Sequence, residues 1–260
     1  MKELFCGEVL ENKLIAPDVW DMRICASDTV KAAQAGQFVS LYTGDSAMLL
    51  PRPISICEID RLAGVLRIVY RVVGGGTEKI AALKTGCQVQ GLAPLGSHYQ
   101  INPKHGKFAI VGGGMGTPPM LALASKIRGE VPNAHISVFL GFRDKSQVIL
   151  DDDFTKYANG VTVSTDDGSF GVKGNPIQLL PDNPEFDAVF GCGPHIMLKY
   201  LAKYADGKGL PCHVSLEERM ACSIGACLAC VTKIGTTNDW QYSRVCASGP
   251  VFDAKEVVWE

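Results

Sequence analysis

The chain has 260 residues, of which 47% are hydrophobic and 20% are charged, a composition that excludes a disordered or fibrous protein. Its 25 basic and 27 acidic residues give a net charge of −2, without a basic run suited to nucleic acid or an anionic membrane. The N-terminus lacks the apolar core of a signal peptide, so we expect a soluble, cytoplasmic protein.

Short hydrophobic runs separated by glycines fill the first hundred residues. They predict strands over residues 19–25, 38–42, 54–59, 66–73 and 88–92. Many short strands with glycine turns favour an antiparallel β-barrel. One short helix is predicted over residues 77–84, with Thr77 as its N-cap.

From residue 107 onwards, strands alternate with helices, which is typical of a parallel α/β domain. Strands are predicted over residues 108–111, 135–140, 161–164 and 187–190, and helices over 120–127 and 194–204. The last 45 residues have too little apolar periodicity for a core of their own, so we expect a bound group to organise them. The predicted parts are therefore a barrel over 1–102, an α/β domain over 103–215 and a C-terminal subdomain over 216–260.

Two glycine-rich turns follow strands of the α/β part and open helices. The first contains Gly112, Gly113, Gly114 and Gly116, and the second contains Cys192, Gly193 and Pro194. Glycines let a turn approach a pyrophosphate, and the helix N-terminus offers N–H groups to it. Both turns on one parallel sheet predict a single nucleotide-binding crevice. The first turn departs from the G-x-G-x-x-G pattern, so an ordinary glycine turn remains an alternative.

The barrel contains one arginine held between prolines. Arg52 lies between Pro51 and Pro53, and Ser55 lies on the same side as Pro53 if the segment is extended. A fixed guanidinium suits a pyrophosphate, because it binds anions through two parallel hydrogen bonds. A second possible anion cradle is the glycine run at residues 74–76 with Thr77. On composition alone, a surface arginine between two turn prolines is the favoured interpretation of this pattern.

Four of the ten cysteines crowd the C-terminal part of the chain. Gaps of four, two and fifteen residues separate Cys222, Cys227, Cys230 and Cys246. The first two gaps are those of the plant-type [2Fe–2S] pattern, in which three thiolates lie on one tight loop. A four-cysteine zinc site is the alternative, but zinc sites usually have two short cysteine pairs and Cys246 has no such neighbour.

These motifs occur in the order seen in the ferredoxin reductase family, which the chain resembles over nearly its whole length. The segment at residues 217–230 narrows the resemblance to the electron-transfer subunits of class B dihydroorotate dehydrogenase. Two departures are Ser223, where we expect glycine, and the pair Ala247 and Ser248, where a Lys-Asp pair is more familiar.

The resemblance implies a role for each motif. FAD would be bound by Arg52, Pro53, Ile54, Ser55, Val69, Tyr70, Arg71, Gly76 and Thr77, with Arg52 on the pyrophosphate and Ser55 near flavin N5. NAD would be bound by Gly112, Gly113, Gly114, Gly116, Cys192, Gly193 and Pro194, with Cys192 beside the nicotinamide. A [2Fe–2S] cluster would be bound by Cys222, Cys227, Cys230 and Cys246.

The chain has no evident acid–base pair for oxidising a small substrate, so that site must lie in a partner. The resemblance implies a flavin-containing catalytic subunit that converts dihydroorotate to orotate, in a heterotetramer, with Ile224 and Leu228 as candidate contacts. One alternative keeps the same cofactors with another partner, as a subunit of a ferredoxin- or sulfide-linked NAD(P) oxidoreductase. Another is a zinc-stabilised nucleotide-binding module. Arg143 and Lys145 could bind a 2′-phosphate, so NADP stays an alternative to NAD.

Overall fold

The computed structural model describes residues 3–259, and its N-terminal part is a closed barrel. The strands close in the order β1-β2-β5-β4-β3-β6, with every neighbouring pair antiparallel. Their bounds are β1 Glu3–Ala16, β2 Val19–Cys25, β3 Phe38–Leu41, β4 Arg52–Asp60, β5 Val65–Arg71 and β6 Gln88–Leu95. The predicted antiparallel barrel is confirmed.

Three elements of the barrel differ from the prediction. The strand β1 was not predicted, because its inward alternation includes Gly7, where a Cβ would lie 2.5 Å from the Ile24 side chain. The short helix α1 (Ser27–Ala32) was not predicted either. The helix α2 spans Gly75–Ala81 and has Gly74 as its N-cap, so the prediction that Thr77 is the N-cap is wrong.

The second part is a seven-stranded sheet in the order β10-β9-β8-β7-β11-β12-β15. Its strands are parallel except for β15, which pairs antiparallel with β12. Helices connect the strands, which confirms the predicted α/β architecture. The bounds are β7 Lys107–Gly113, α3 Thr117–Glu130, β8 His135–Phe142, α4 Asp151–Phe154, β9 Gly160–Thr165, β10 Val172–Lys173, β11 Ala188–Cys192, α5 His195–Gly207, β12 Cys212–Ser215, β13 Val231–Gly235, β14 Trp240–Arg244 and β15 Val251–Asp253.

Both faces of this sheet are covered, as a parallel sheet requires. On the α3 side the core cluster includes the barrel residues Val19, Cys57 and Val69, so the barrel packs against this face. On the α5 side the cluster includes Cys230 and Cys246, so the C-terminal segment packs there. The segment at residues 222–230, which contains Cys222, Cys227 and Cys230, is called the cysteine loop. A hairpin of β13 and β14 leads from this loop to Cys246, and β15 then forms the edge of the sheet. The exact domain boundaries stay predictions.

A buried ion network joins the barrel to the α/β part. The Arg67 guanidinium on β5 contacts the carboxylates of Asp21 at 2.8 Å and Asp153 at 3.1 Å, and that of Glu58 at 3.4 Å. Asp153 belongs to α4, so one arginine connects both parts. Among residues 3–259, no helix is both long and apolar enough to cross a membrane.

Candidate functional site

The two predicted anion-binding motifs of the barrel meet in space. The Arg52 guanidinium lies directly against Gly76, where any Cβ would overlap it, and it also donates to the carbonyl oxygen of Leu50. The Thr77 hydroxyl accepts from the backbone N–H of Val73 at 2.9 Å and so shapes the start of α2. A positive side chain and a glycine-lined helix start therefore share one surface, which suits a phosphate.

The residues of β4 and β5 that were predicted to bind FAD lie on different faces of the barrel wall. In β4, Pro53 and Ser55 are half-buried and alternate with the buried Ile54, so both lie on one side of the strand, as predicted. In β5, Tyr70 faces the barrel core and donates to the Asn12 side chain at 3.0 Å. Val69 and Arg71 face the α/β part, where Arg71 donates to Gln147 at 2.5 Å. The structure does not place the Tyr70 side chain beside that of Arg71.

The two glycine turns of the α/β part lie side by side. β7 and β11 are neighbours, with Gly112 opposite Cys192. A Cβ on Gly116 would overlap the Cys192 carbonyl group, and one on Gly193 would lie 3.1 Å from Gly113. Only glycine allows backbones to approach this closely. The two turns, called the crevice below, therefore meet at the carboxyl ends of β7 and β11, where α3 begins. Nucleotides bind at this edge of parallel sheets, and its binding of a nucleotide stays a prediction.

Two further groups give this crevice its chemical character. The Thr117 hydroxyl at the start of α3 is fully buried and has no hydrogen-bond partner within the described chain. Such an orphan donor is expected where a ligand completes the site. Burial, together with the nearby Glu217 carboxylate, raises the pKa of the Cys192 thiol to about 12. Cys192 is therefore a neutral thiol at physiological pH.

The four C-terminal cysteines form two sulfur pairs. Cys227 Sγ lies 3.3 Å from Cys222 Sγ. The Cys246 thiol is hydrogen-bonded to the Cys230 thiol, and the backbone N–H of Cys246 donates to Cys230 Sγ at 3.4 Å. Over residues 3–259, no three or more Cys, His, Asp or Glu side chains converge on a point that could hold a metal ion. Two pairs of thiols are the donor set of a two-iron cluster, in which each iron takes two cysteines.

The cysteine loop supplies backbone N–H groups to its sulfur atoms. Partial burial alone would raise the pKa of the Cys222 thiol, but N–H groups of Cys227, Ile224 and Ala226 lower it to about 6. Burial and the adjacent Cys230 raise the pKa of Cys246 to about 12. Left-handed backbone at Ser223 and Gly225 turns the loop tightly, and Arg244 donates to the Gly225 carbonyl oxygen at 2.6 Å. The residues present therefore fit an iron–sulfur group.

The three candidate sites converge. An open cleft of about 570 Å³ lies between residues 50–53 of the barrel and residues 217–220, which precede the cysteine loop. Glu217, at one end of that segment, is also close enough to act on Cys192 in the nucleotide crevice. A hydrogen bond of 2.7 Å joins Ser40 of the barrel to Ser223 of the cysteine loop. The barrel motif, the crevice and the cysteines thus share one neighbourhood.

Comparison with known proteins identifies the family. The family described as the iron–sulfur cluster binding domain of dihydroorotate dehydrogenase B matches residues 217–258. Across 100% of both chains, this chain is 36% identical to the dihydroorotate dehydrogenase B (NAD(+)) electron transfer subunit of Desulforamulus reducens. The chain belongs to this family of electron transfer subunits. The family member from Streptococcus mutans is 39% identical over 96% of each chain.

Solved structures agree with this family and with the predicted resemblance to ferredoxin reductases. A chain of the NADH-dependent reduced ferredoxin-NADP oxidoreductase, studied for flavin-based electron bifurcation, matches with a TM-score of 0.85 and 30% identity over 97% of this chain and 90% of its own. The ferredoxin reductase of carbazole 1,9a-dioxygenase matches with a TM-score of 0.67 and 18% identity, over 82% of this chain and 69% of its own. The second likeness shows the shared fold alone.

The structure adds three residues to the site for which the sequence predicted no role. Ser40 lies in a buried strand that no motif marks, whereas Thr117 belongs to the first glycine turn and had no role of its own. Glu217 belongs to the segment that carries the family resemblance, but its proximity to Cys192 depends on a tertiary contact. No local pattern in the chain could have signalled these contacts.

Proposed function

We propose that this chain carries electrons between the flavin of a catalytic dihydroorotate dehydrogenase subunit and NAD, by way of a bound [2Fe–2S] cluster and FAD. The observation that carries the proposal is the convergence of the cysteine loop, the Arg52 segment and the nucleotide crevice around residues 217–223. Electron carriers must lie close together to exchange electrons, and this neighbourhood supplies a place for each of the three.

The electron chemistry of nicotinamide, flavin and an iron–sulfur cluster explains why the three occur together. Nicotinamide exchanges two electrons as a hydride, a cluster passes one at a time, and a flavin does both, so the flavin belongs between them. Overall, dihydroorotate loses two electrons and two protons, and NAD⁺ gains a hydride while one proton is released. The residues of this chain bind and orient the carriers, and dihydroorotate is oxidised in the partner.

FAD is assigned to the barrel surface formed by Arg52, Ser55, Gly76 and Thr77. Arg52→Ala is expected to weaken FAD binding, because a charged hydrogen bond contributes about 1.5–3 kcal/mol, which corresponds to a dissociation constant raised roughly ten- to hundredfold. Gly76→Ala should have a similar effect, since its Cβ would displace the Arg52 guanidinium. Fluorescence titration of the FAD-free protein measures both.

Gly129→Ala is the matched control for these variants, because a Cβ on Gly129 meets open space at the end of α3. It should bind FAD like the natural chain. Equal FAD affinity in Gly76→Ala and Gly129→Ala would contradict the assignment of Gly76 to the FAD site.

NAD is assigned to the crevice formed by the two glycine turns, with Thr117 available to complete a hydrogen bond to it. Because the raised pKa of Cys192 keeps the thiol neutral, the rate of flavin reduction by NADH should show no inflection from this group between about pH 6 and 9. The profile of a Cys192→Ser variant should have the same shape, whatever its absolute rate. A stopped-flow pH series measures this, and an inflection near about pH 8.5 that only the natural chain shows would refute it.

The charges at the rim of the crevice favour NAD over NADP. Arg143 and Lys145 are exposed in the loop after β8, where Asp144 lies between them, and Asp166 and Asp167 lie in the adjacent loop after β9. Hydrogen bonds from Ser169 lower the pKa of Asp167, so this carboxylate stays ionised. Carboxylates beside the two basic side chains would repel a 2′-phosphate. The name of the relatives, which specifies NAD(+), supports the same cofactor.

The partner proposed is the flavin-containing catalytic subunit, in a cytoplasmic heterotetramer of two subunit pairs. Ile224 is 46% exposed and Leu228 is 72% exposed beside the cysteines, an apolar surface suited to a protein contact. Ten free thiols are consistent with a reducing compartment. A ferredoxin-linked partner is the second candidate, and the 30% identity to the ferredoxin-NADP oxidoreductase supports it. It ranks second because the identity to the dihydroorotate dehydrogenase subunits, 36% and 39%, is higher.

The test is reconstitution with the catalytic subunit. The mixture should form NADH from NAD⁺ when dihydroorotate is added, and neither subunit alone should do so. Electron exchange with ferredoxin but none with the catalytic subunit would overturn the assigned partner and favour the second candidate.

A further inference from the structure

A buried pair of serine hydroxyls joins the cysteine loop to the barrel. Ser40 Oγ donates to Ser223 Oγ at 2.7 Å across 183 residues of sequence. The two residues are only 0% and 1% exposed. A hydrogen bond shielded from water is electrostatically stronger, and removing one partner leaves the other unsatisfied. The contact therefore resists relative movement of the two segments.

Each serine lies next to a different proposed cofactor site. Ser40 is on β3, where it pairs with Pro53, and its neighbour Leu41 pairs with Arg52. Ser223 directly follows Cys222, a proposed cluster ligand. One hydrogen bond thus connects the strand beside the FAD segment to the residue beside a cluster ligand.

The backbone conformation at Ser223 indicates that its hydroxyl contact stabilises the loop. Its φ of +60° lies in the left-handed region, which favours glycine, and Gly225 in the same loop has a φ of +86°. A serine in this conformation carries a backbone cost that the buried hydroxyl contact offsets. The hydrogen bond from Arg244 to Gly225 joins the loop to the hairpin that follows it, whereas the hydrogen bond from Ser40 to Ser223 joins the loop to the barrel.

We propose that Ser40 and Ser223 are positioning residues whose hydroxyl pair sets the place of the cysteine loop relative to the FAD segment. The inference rests on the proposed function, because it needs a cluster on the loop and FAD on the barrel. It assigns neither serine as a ligand. The pair acts through the position of Cys222 and its neighbours.

Two single variants separate this role from general stability. Ser40→Ala removes the donor, whereas Ser223→Gly removes the acceptor and also relieves the left-handed backbone. Both should alter the electron paramagnetic resonance spectrum of the reduced cluster in the same direction. Both should slow cluster reduction by NADH about tenfold, since small displacements of reacting groups have large effects on rate. Flavin reduction by NADH should stay within about twofold, because the nucleotide crevice is untouched.

The double variant tests whether the two serines act as one unit. Residues in direct contact are non-additive, so Ser40→Ala combined with Ser223→Gly should be no more impaired than either single variant. Ser164→Ala is the control, because Ser164 is also fully buried and hydrogen-bonded but lies in β9, where its hydroxyl donates to Leu140. The control should keep the natural spectrum and rate.

The outcomes are distinct. Loss of the cluster from both single variants, but not from Ser164→Ala, would support the proposal as much as a shared spectral change would. An unchanged spectrum and rate in either single variant, or additive effects in the double variant, would overturn it. If the natural chain itself bound neither cluster nor FAD, the proposed function would fail and this inference with it; natural cofactors with unaffected serine variants would refute this inference alone.

Discussion

Cys222→Ser is expected to abolish the iron–sulfur signal of the chain. The Cys222 thiol has the lowered pKa of about 6 and so supplies a thiolate at neutral pH, whereas a serine hydroxyl does not ionise there. Iron and acid-labile sulfide content, together with electron paramagnetic resonance of the reduced protein, should fall to background. NADH should still reduce the FAD, because the crevice and the barrel keep their residues.

Cys6→Ser is the control for that loss. Cys6 is exposed on β1, far along the chain from the cysteine loop, and its thiol donates to the Gln88 side chain. Its variant should retain full iron and sulfide. If Cys222→Ser kept the natural iron content, the assignment of the two sulfur pairs to a cluster would be wrong.

Arg67→Met is expected to lower the free energy of unfolding by about 3–5 kcal/mol, the usual effect of removing one partner of a buried ion pair. The guanidinium is only 8% exposed and contacts three carboxylates, so its loss leaves buried like charges facing one another. Because Asp153 belongs to the α/β part, the barrel should also lose part of its attachment. Urea unfolding followed by circular dichroism measures the change.

The control is Lys31→Ala, which removes an exposed ion pair with Asp28 on α1. Exposed pairs contribute about 0–1 kcal/mol, so this variant should unfold almost like the natural chain. Similar losses of stability in Lys31→Ala and Arg67→Met would show that the buried network contributes no more stability than an exposed ion pair.

The same network predicts how stability depends on pH. Burial alone would raise the pKa of Asp153, but hydrogen bonds from Lys156 and Arg67 lower it below its ordinary value. A carboxyl with a lowered folded-state pKa contributes stability that is fully present above its unfolded value of about 3.9 and is lost as the pH falls further. The melting temperature should therefore drop below about pH 4. In Arg67→Met, where fewer donors oppose the effect of burial, the folded-state pKa of Asp153 should lie closer to its unfolded value, so that drop should be smaller.

Local pattern was enough to predict the architecture and the chemical motifs. Strand runs with glycine turns gave the barrel, alternating strands and helices gave the α/β sheet, and the spacing of Cys222, Cys227 and Cys230 gave the cysteine loop. These features depend on periodicity and on residues a few positions apart. The two glycine turns were also expected to share a crevice, because parallel neighbouring strands end at one edge.

Contacts between distant segments could not be predicted in this way. The approach of Arg52 to Gly76, the Ser40–Ser223 hydrogen bond and the reach of Arg67 to Asp153 depend on how the barrel packs against the rest. The alternation of Val69 and Tyr70 onto opposite faces follows from strand geometry, but only the closed barrel shows which face meets the α/β part. The joining of β15 to the sheet likewise required the fold.

The central claim is that one chain carries a nicotinamide site, a flavin and a cluster in electronic contact. The most direct measurement is the visible spectrum of the purified chain without oxygen, before and after NADH is added. We expect flavin bands over a broad iron–sulfur absorbance, both bleached by NADH. A chain that shows neither chromophore after reconstitution with FAD, iron and sulfide would contradict the claim.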